Sequence, residues 1–367
     1  MKSICLNMIV KNERRVIRRC LEALKKHIDY WVIVDTGSTD GTQAVIKECL
    51  YEYPGELHER PWKNFEHNRN EALRLAENKM DYILFVDADE ILHFSPDFDK
   101  DRLSLDYYMI KSLAKDVEFY IVKLIKDDSL WNWTQVLHEY IQHTGDVSGD
   151  TLTDVWTESV QDGARSQDPE KMQRDIDILQ TAIKKDPHNA RYVFYLAQTY
   201  RADKNKAKAL ETYQIRAKMD GEKDETFWAL FSIGQLQEEM KFPPLDYLKS
   251  YDKAHQFDPL RAEPLERMAN YYFQHDFSST AYSLMKYAQT LPTPKPLTCG
   301  YYSWVYDFAV HSICADCAMD LGKFTEARAM YLNIFGKEKS PPGLISHIQK
   351  QLKKIENILG ENSISQV

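Results

Sequence analysis

The segment YWVIVDTGSTDGT, residues 30–42, decides the fold of the first half of this chain. Tyr30–Asp35 is an apolar, β-branched run typical of a buried strand, and the small residues and glycines after it predict a tight turn into a helix. The pattern returns at residues 82–90, where the strand YILFVD precedes Ala88-Asp89-Glu90. Because ligands of open α/β sheets bind beyond the carboxyl ends of the strands, both acidic turns are candidate site segments.

Further strands and helices alternate around these two segments. Strands are predicted at residues 3–10, 30–35, 56–60 and 82–87, and helices at 14–27, 40–50 and 66–79. Alternation of this kind predicts βαβ units, that is, an α/β domain with a parallel sheet and helices on both faces.

The second half of the chain has little strand signal and is predicted to be all-α. Helices are expected at residues 169–185, 190–201, 205–219, 224–240, 246–256, 262–274, 278–290, 303–320 and 324–335. The breaks Asp186-Pro187 and Asp258-Pro259 recur at about twice the 34-residue tetratricopeptide period. We therefore predict a tetratricopeptide-like domain over residues 169–367, with a plain helical bundle as the alternative. Five aromatic residues at helical spacing are expected in its core, with a ligand platform as the alternative: Tyr192, Tyr195, Trp228, Tyr271 and Tyr272.

Composition excludes several classes of protein. A chain with 43% hydrophobic and 28% charged residues is typical of a globular protein, and a net charge of −9 disfavours a broad nucleic-acid surface. No apolar run reaches the roughly 18 residues of a membrane helix. Six scattered cysteines do not form a disulfide framework, and Cys314-x-x-Cys317 is expected to be a pair of core thiols rather than a metal or redox site. These features predict a cytoplasmic protein without an integral membrane segment.

Three clusters leave predicted strands, at residues 7–13, 35–42 and 87–90, and in a fourth, at 131–139, a His and a Glu follow an aromatic, partly apolar run. Asp35 can accept hydrogen bonds from a base N–H or ribose hydroxyls, although the segment could be only a turn and cap. Asp87 and Asp89 can converge on Mg²⁺ or Mn²⁺ at a diphosphate; the alternative is a solvated acidic loop. His138 is a candidate metal ligand, or a plain surface histidine, and Glu139 a candidate general base.

Taken together, the motifs resemble the family 2 glycosyltransferases of GT-A fold. They are MIVKNE at 8–13, VDTGSTDGT at 34–42, W-x-N-F-x-x-x-R-N at 62–70, FVDADE at 85–90 and HE at 138–139. The order is similar to a branch that includes lipopolysaccharide-core glycosyltransferases and bacteriocin peptide S-glycosyltransferases, in which tetratricopeptide-like helices follow the GT-A domain. The resemblance is close over residues 3–145 and loose over 160–290.

The resemblance implies a GT-A, Rossmann-like mixed sheet flanked by helices in a catalytic domain over residues 1–168. It implies inverting, metal-dependent transfer of a sugar from a nucleotide diphosphate sugar, with a UDP-sugar expected, to a glycan or peptide acceptor. The expected donor-binding residues are Val10, Asn12, Glu13, Asp35, Ser38, Asp40, Arg69, Asp87, Ala88, Lys126 and Arg165. Mn²⁺ or Mg²⁺ is expected on Asp89, Asp87 and His138, and catalysis by Glu139, or by His138 with Glu139 orienting it.

The sequence departs from this family at two places. Many relatives have R-L-F-R before the His-Glu pair, where this chain has residues 123–126, KLIK, so the phosphate role of Lys126 stays open. Relatives also tend to have His-x-Gly later, where this chain has residues 161–166, QDGARS. Asp162 does not replace a histidine ligand without favouring a harder ion, while Arg165 remains a candidate lid residue over the diphosphate.

Two other functions are alternatives to sugar transfer. A decayed GT-A domain could serve with its helical repeats as a protein-interaction scaffold, but Asp35, Asp87 and Asp89 are intact. A nucleotidyltransferase would need a Gly-rich, basic phosphate loop after the first strand, and Lys11-Asn12-Glu13 is not one. The helical domain is expected to present a surface to the acceptor, a protein partner or a second copy, or else to buttress the catalytic domain.

Overall fold

The computed structural model describes residues 1–114, 117–294, 297, 299–335 and 340–360. It divides into two compact units. The first comprises Met1–Gly221 with a short segment that ends at Gly300, and the second begins at Glu222. The first unit contains the motifs identified above.

A mixed β-sheet forms the centre of the first unit. The strands are β1 (Ile4–Val10), β2 (Tyr30–Asp35), β3 (Gly55–Glu59), β4 (Tyr82–Phe85), β5 (Glu90–Phe94), β6 (Tyr107–Ala114), β7 (Val117–Lys126), β8 (Trp131–Thr134), β9 (Tyr140–His143) and β10 (Gly149–Ser159). Their order is β3-β2-β1-β4-β7-β6-β10-β5, with β8 and β9 paired separately. β1 pairs in parallel with both β2 and β4, whereas β7 is antiparallel to β4 and β6. The predicted α/β mixed sheet is confirmed.

Both faces of β1 are buried, as the continuous apolar run predicts. Leu6 and Met8 face a core shared with α1 (Ile17–Leu24) and α2 (Thr42–Cys49), and Cys5 faces a second core shared with α3 (Phe65–Ala76). The polar side chain of Asn7 is also buried in this strand, because its Nδ2 donates a hydrogen bond to the Ala72 carbonyl of α3 at 2.9 Å. Helices therefore lie on both faces, and the carboxyl ends of β2, β1 and β4 meet at one edge.

The element ends differ from prediction where side chains cap the backbone. The first helix begins at Ile17 rather than Arg14, because the Arg14 amide donates to Asp40 and the Glu13 amide to Thr42 Oγ1. β4 ends at Phe85 rather than Asp87, where a turn forms with the Glu90 amide bonded to the Asp87 carbonyl. The loops after β1 and β4 are thus freed to present their side chains at the sheet edge.

Helices predominate in the described chain from Lys171 onward. They are α4 (Lys171–Lys185), α5 (Ala190–Ala202), α6 (Lys206–Arg216), α7 (Lys223–Glu239), α8 (Pro244–Phe257), α9 (Glu263–Gln274), α10 (Ser278–Ala288), α11 (Val310–Asp320), α12 (Phe324–Phe335) and α13 (Pro342–Leu359). Three short elements complete the list: a 3-10 helix at Lys100–Arg102 in the sheet half, a strand at Tyr301–Tyr302 and a π-helix at Val305–Ala309. Within each unit, neighbouring helices pack in succession, as in tetratricopeptide repeats. α13 was not predicted.

The change from strands to helices falls between Ser159 and Lys171, near the predicted boundary at 168/169. The first compact unit nevertheless extends through α6 to Gly221. The three helices α4–α6 therefore belong structurally with the sheet, and a functional boundary at 168/169 stays a proposal. Cys314 and Cys317 are buried free thiols on α11, which agrees with a core role. Among the described helices, none has the length and apolarity to cross a membrane.

Candidate active site

The turn after β2 leaves one oxygen of a buried carboxylate available to a ligand. Asp35 Oδ1 accepts hydrogen bonds from the amides of Gly37 at 2.8 Å and Ser38 at 2.7 Å. Gly37 has φ 105°, a left-handed conformation that favours glycine. Asp35 Oδ2 is buried and has no hydrogen-bond partner among the described residues. Since a buried unpaired carboxylate oxygen is costly, this atom can take a hydrogen bond from a ligand.

A cavity of about 290 Å³ adjoins Asp35. Its lining residues are Asp35, Gly37, Ser38, Gln43, Glu59, Arg60 and Pro61. Only Asp35 and Ser38 among them were predicted to bind the donor. Glu59 ends β3 and Arg60 and Pro61 follow it, and these three residues reach this edge only through the parallel β2–β3 pairing. The cavity is polar and carries both a carboxylate and a guanidinium, which suits a base with an attached ribose.

Asn12 and Asp40 hold the two loops beside this cavity together. The Asn12 amide donates to Ser38 Oγ at 2.7 Å, and Asn12 Oδ1 accepts from the Thr39 amide at 2.8 Å. Asp40 accepts from the amides of Arg14 and Thr42. Both residues therefore stabilise the loops that form the pocket, and both already have hydrogen-bond partners within the protein.

Val10 and Ala88, two further predicted donor-binding residues, have buried side chains in the hydrophobic core. The Val10 carbonyl accepts from the Thr36 amide at 2.9 Å. These two positions can offer a donor only backbone contacts.

Three carboxylates gather at the ends of β1 and β4. Burial and then the neighbouring Asp87 charge raise the pKa of Asp89. Burial also raises the pKa of Glu13 to about 7, with further contributions from Asp89, Asp40 and Asp87. Crowded carboxylates of this kind repel one another when ionised, and a bound cation relieves the repulsion. The structure thus brings Glu13, Asp87 and Asp89 to one edge of the sheet.

Arg69 links this acidic edge to Glu139. Its Nη2 is 2.8 Å from Asp87 Oδ1, its Nε is 3.6 Å from Glu139 Oε2, and its guanidinium lies 4.8 Å from the centre of the Trp133 ring. Although desolvation opposes the effect, Arg69 and Lys123 keep the pKa of Asp87 below its ordinary value. The Arg69 side chain faces the site, not the helix surface.

Glu139 lies largely buried beside Arg69. Desolvation raises the pKa of Glu139 to about 7, although the Arg69 charge acts in the opposite direction. Its Oε1 is buried, and no residue in the part of the chain that the structure describes forms a hydrogen bond with it. A carboxylate with a pKa near neutrality and an available oxygen suits general-base chemistry.

His138 does not complete a metal site with the two aspartates. Its ring stacks on Tyr195, with centroids 3.8 Å apart, and keeps access to solvent. Desolvation by the surrounding protein, followed by the charges of Arg191, Lys171 and Arg165, lowers the pKa of His138 well below its ordinary value. Within the described ranges, no three His, Cys, Asp or Glu side chains are grouped closely enough to bind a metal ion. The predicted set of Asp87, Asp89 and His138 is therefore not assembled.

Lys126 was placed wrongly in the donor site. The antiparallel pairing of β7 with β4 sets Lys126 opposite Tyr82, the first residue of β4, and its Nζ lies 3.9 Å from Asp106. Lys126 is thus at the amino end of β4, away from Asp87.

Lys123 occupies the site end of the same strand. Its Nζ is 2.8 and 2.6 Å from the two carboxylate oxygens of the buried Glu90, and Glu90 Oε2 accepts from the Asp87 amide. This buried ion pair fixes the turn that carries Asp87 and Asp89. Only the register, and not the composition of KLIK, distinguishes Lys123 from Lys126.

The segment after β10, residues 160–168, lies against the acidic cluster. The Ala164 amide donates to Glu13 Oε2 at 3.1 Å, and a Cβ placed on Gly163 would lie 3.1 Å from Asp89 Oδ2. Asp162 forms a bidentate pair with Arg19, and the Arg165 guanidinium pairs with Asp175 and lies 4.6 Å from the Phe65 ring centre. Arg165 is therefore beside the site but already paired.

The fold and this edge define a class: an α/β domain with a ligand pocket at Asp35 beside an acidic cleft. Residues 5–99 match the family model described as Glycosyl transferase family 2. The N-terminal domain is a family 2 glycosyltransferase domain, which confirms the resemblance drawn from the motifs.

Two curated relatives and one solved structure illustrate the similarity. A TPR repeat-containing protein of Synechococcus elongatus is 37% identical over 93 residues, 25% of this chain and 22% of that protein. The SPbeta prophage-derived glycosyltransferase SunS of Bacillus subtilis is 34% identical over 91 residues, 24% of this chain and 20% of that protein. The match thus spans about a fifth of either relative. The crystal structure of MamA aligns with a TM-score of 0.35 at 13% identity, over 54% of this chain and 97% of MamA.

Proposed function

We propose that this protein transfers a sugar, with inversion, from a UDP-sugar to a glycan or peptide acceptor, assisted by a divalent cation. The observation that carries the proposal is the buried, unpaired Asp35 Oδ2 beside a polar cavity at the edge where Asp87 and Asp89 also lie. The family 2 domain supports glycosyl transfer in general. The donor, the cation and the acceptor are inferred from the chemistry of the site.

Asp35 favours a base that donates a hydrogen bond. A carboxylate accepts only, and uracil presents an N3–H donor where cytosine has an acceptor. With Oδ1 already held by two turn amides, Oδ2 would receive that N3–H. Glu59 and Arg60 line the same cavity and would be available to the ribose hydroxyls of a bound donor.

The donor set near Asp89 fits a hard cation. Asp89 and Glu13 are carboxylates whose pKa values are raised by burial and by neighbouring carboxylates, so a cation would stabilise their ionised forms. Mn²⁺ or Mg²⁺ would be held by Asp89 with Glu13 or Asp87. A bound cation supplies charge neutralisation for the departing diphosphate.

Arg69, Glu139 and His138 have different proposed roles in the transfer. Arg69 holds Asp87 and adds a positive charge beside the site of the diphosphate. Glu139, with a pKa raised to about 7, would take the proton from the acceptor hydroxyl, amide or thiol as that atom attacks the anomeric carbon. Attack from the face opposite the diphosphate inverts the configuration. His138 would orient Glu139 and is not assigned the proton.

The decayed-scaffold alternative is disfavoured by the same residues. Asp35, Arg69, Asp87, Asp89 and Glu139 are all present, and their contacts tie them to one edge of the sheet. We further propose that the helical domain presents the acceptor or a protein partner. The buried thiols of Cys5, Cys20, Cys49, Cys314 and Cys317 form no disulfide, which is compatible with action in the cytoplasm.

A donor panel tests the proposal. Purified protein is incubated with UDP-, GDP- and dTDP-sugars, with Mn²⁺ or with EDTA, and nucleotide release by slow hydrolysis is quantified. We expect release from one or more UDP-sugars that requires the cation. Absence of release, together with absence of UDP binding in calorimetry, would remove the transfer function and leave the scaffold interpretation.

A further inference from the structure

The segment that carries Glu139 has an unusual backbone. Gln135 has φ 86° and His138 has φ 54°, so two non-glycine residues within four positions are left-handed. Such residues persist only where their surroundings fix them, and they concentrate at functional sites. Glu139 follows His138 directly, so the direction of its side chain depends on this conformation.

Helix α5 supplies the contacts that fix His138. Arg191 Nη2 donates to the His138 carbonyl at 3.1 Å, and the Tyr195 ring stacks on the His138 ring with an interplanar angle of 9°. The Arg191 guanidinium also lies 4.7 Å from the centre of the Tyr195 ring and 5.0 Å from that of Tyr140. Residues 138 and 140 are thus held on either side of Glu139.

These contacts differ from ordinary core packing of a helix. The neighbouring Phe194 is fully buried, whereas Tyr195 is half-buried and meets the catalytic segment instead. The expectation that Tyr195 lies in the helical core was therefore wrong. The helix begins at Ala190, where Asn189 caps it through the Tyr192 amide, so Arg191 and Tyr195 lie on one side, one turn apart.

We infer that Arg191 and Tyr195 are positioning residues, which clamp His138 in its left-handed conformation and thereby hold the Glu139 carboxylate beside Arg69. The clamp makes α5 part of the catalytic domain, in agreement with the first compact unit extending to Gly221. The catalytic consequence rests on the proposed function of Glu139, while the clamp itself does not.

Kinetics of donor turnover test the catalytic consequence. Arg191→Met and Tyr195→Leu should each lower kcat by about 10-fold to 100-fold, because ångström-scale misplacement of a reacting group has effects of this order. KM for the donor should stay within about twofold, since the Asp35 pocket is on other loops. Tyr195→Phe keeps the stacked ring and should retain most of kcat. Lys208→Met, which removes a cation of α6 that lies 5.3 Å from the Tyr200 ring, is the matched control and should leave kcat unchanged.

Hydrogen–deuterium exchange of the peptide that spans residues 135–142 tests the clamp without turnover. Exchange should be faster in Arg191→Met and Tyr195→Leu, and equal to wild type in Tyr195→Phe and Lys208→Met. Unchanged exchange in both clamp variants, or a rise in KM with kcat preserved, would overturn the inference. Faster exchange in a protein whose wild type releases no nucleotide would retain the clamp and reject the proposed function.

Discussion

Replacement of Asp35 by asparagine separates ligand binding from stability. In Asp35→Asn the new side chain keeps an oxygen for the Gly37 and Ser38 amides but places an amide N–H₂ where Asp35 Oδ2 is buried without a partner. A uracil N3–H would then meet a donor instead of an acceptor. The substitution therefore removes the proposed base contact without removing the turn.

The expected loss of UDP affinity follows from the removal of one hydrogen bond. A hydrogen bond to a charged group contributes about 1.5–3 kcal/mol, and about 1.4 kcal/mol corresponds to a tenfold change in Kd. UDP should therefore bind Asp35→Asn about 10-fold to 100-fold more weakly. The unfolding free energy should change by less than about 1 kcal/mol, because the burial of a neutral amide costs less than that of an unpaired carboxylate oxygen.

Isothermal titration calorimetry with UDP and urea unfolding provide the two measurements. Asp29→Asn is a suitable control, since Asp29 accepts from the Ile4 amide at 2.9 Å at the opposite end of β1. UDP affinity of the control should equal that of wild type. If Asp35→Asn binds UDP within twofold of wild type, Asp35 does not contact the base and the pocket assignment is refuted.

Three other substitutions have defined outcomes. Glu139→Gln should lower kcat for UDP-sugar turnover by about 10²-fold or more with UDP affinity nearly unchanged; equal loss of affinity would make Glu139 a binding residue. Lys123→Met should lower the unfolding free energy in urea by about 3–5 kcal/mol, because it leaves Glu90 buried without its cation; a loss below about 1 kcal/mol would show that the pair is dispensable. Glu266 is buried, and burial raises its pKa from 4.5 to about 7, so the folded state holds a proton that the unfolded state releases and stability falls as pH rises from about 4.5 to 7. Glu266→Gln should remove up to roughly 3 kcal/mol of that fall in urea titrations at several pH values, and an unchanged pH slope would contradict it.

The centre of the sheet was predictable because both faces of its strands are buried. β1, β2 and β4 are continuous apolar runs, and each ends in a polar turn, so their order along the chain was enough to place Asp35 and Asp87 at one edge. The half-exposed strands β6 and β10 have weaker patterns, with burial that alternates or varies along the strand, and were not predicted.

The roles of some residues depend on strand register or on packing against distant segments, and these roles could not be predicted from the sequence. Lys123 and Lys126 differ only in which end of β4 each reaches, and the antiparallel pairing decides that. Tyr195 has the spacing of a core residue, yet its ring lies on His138, far away in sequence. Helix periodicity shows which side of a helix is apolar but does not show what that side covers.

The central claim is that Asp35 and Asp89 serve one donor and its cation. Calorimetric titration of UDP into wild type and Asp89→Ala, each with Mn²⁺ and with EDTA, tests it most directly. We predict a single site in wild type that weakens at least about tenfold in EDTA, and that Asp89→Ala with Mn²⁺ binds as weakly as wild type in EDTA. UDP affinity that is the same in all four titrations, or no binding in any of them, would contradict the claim.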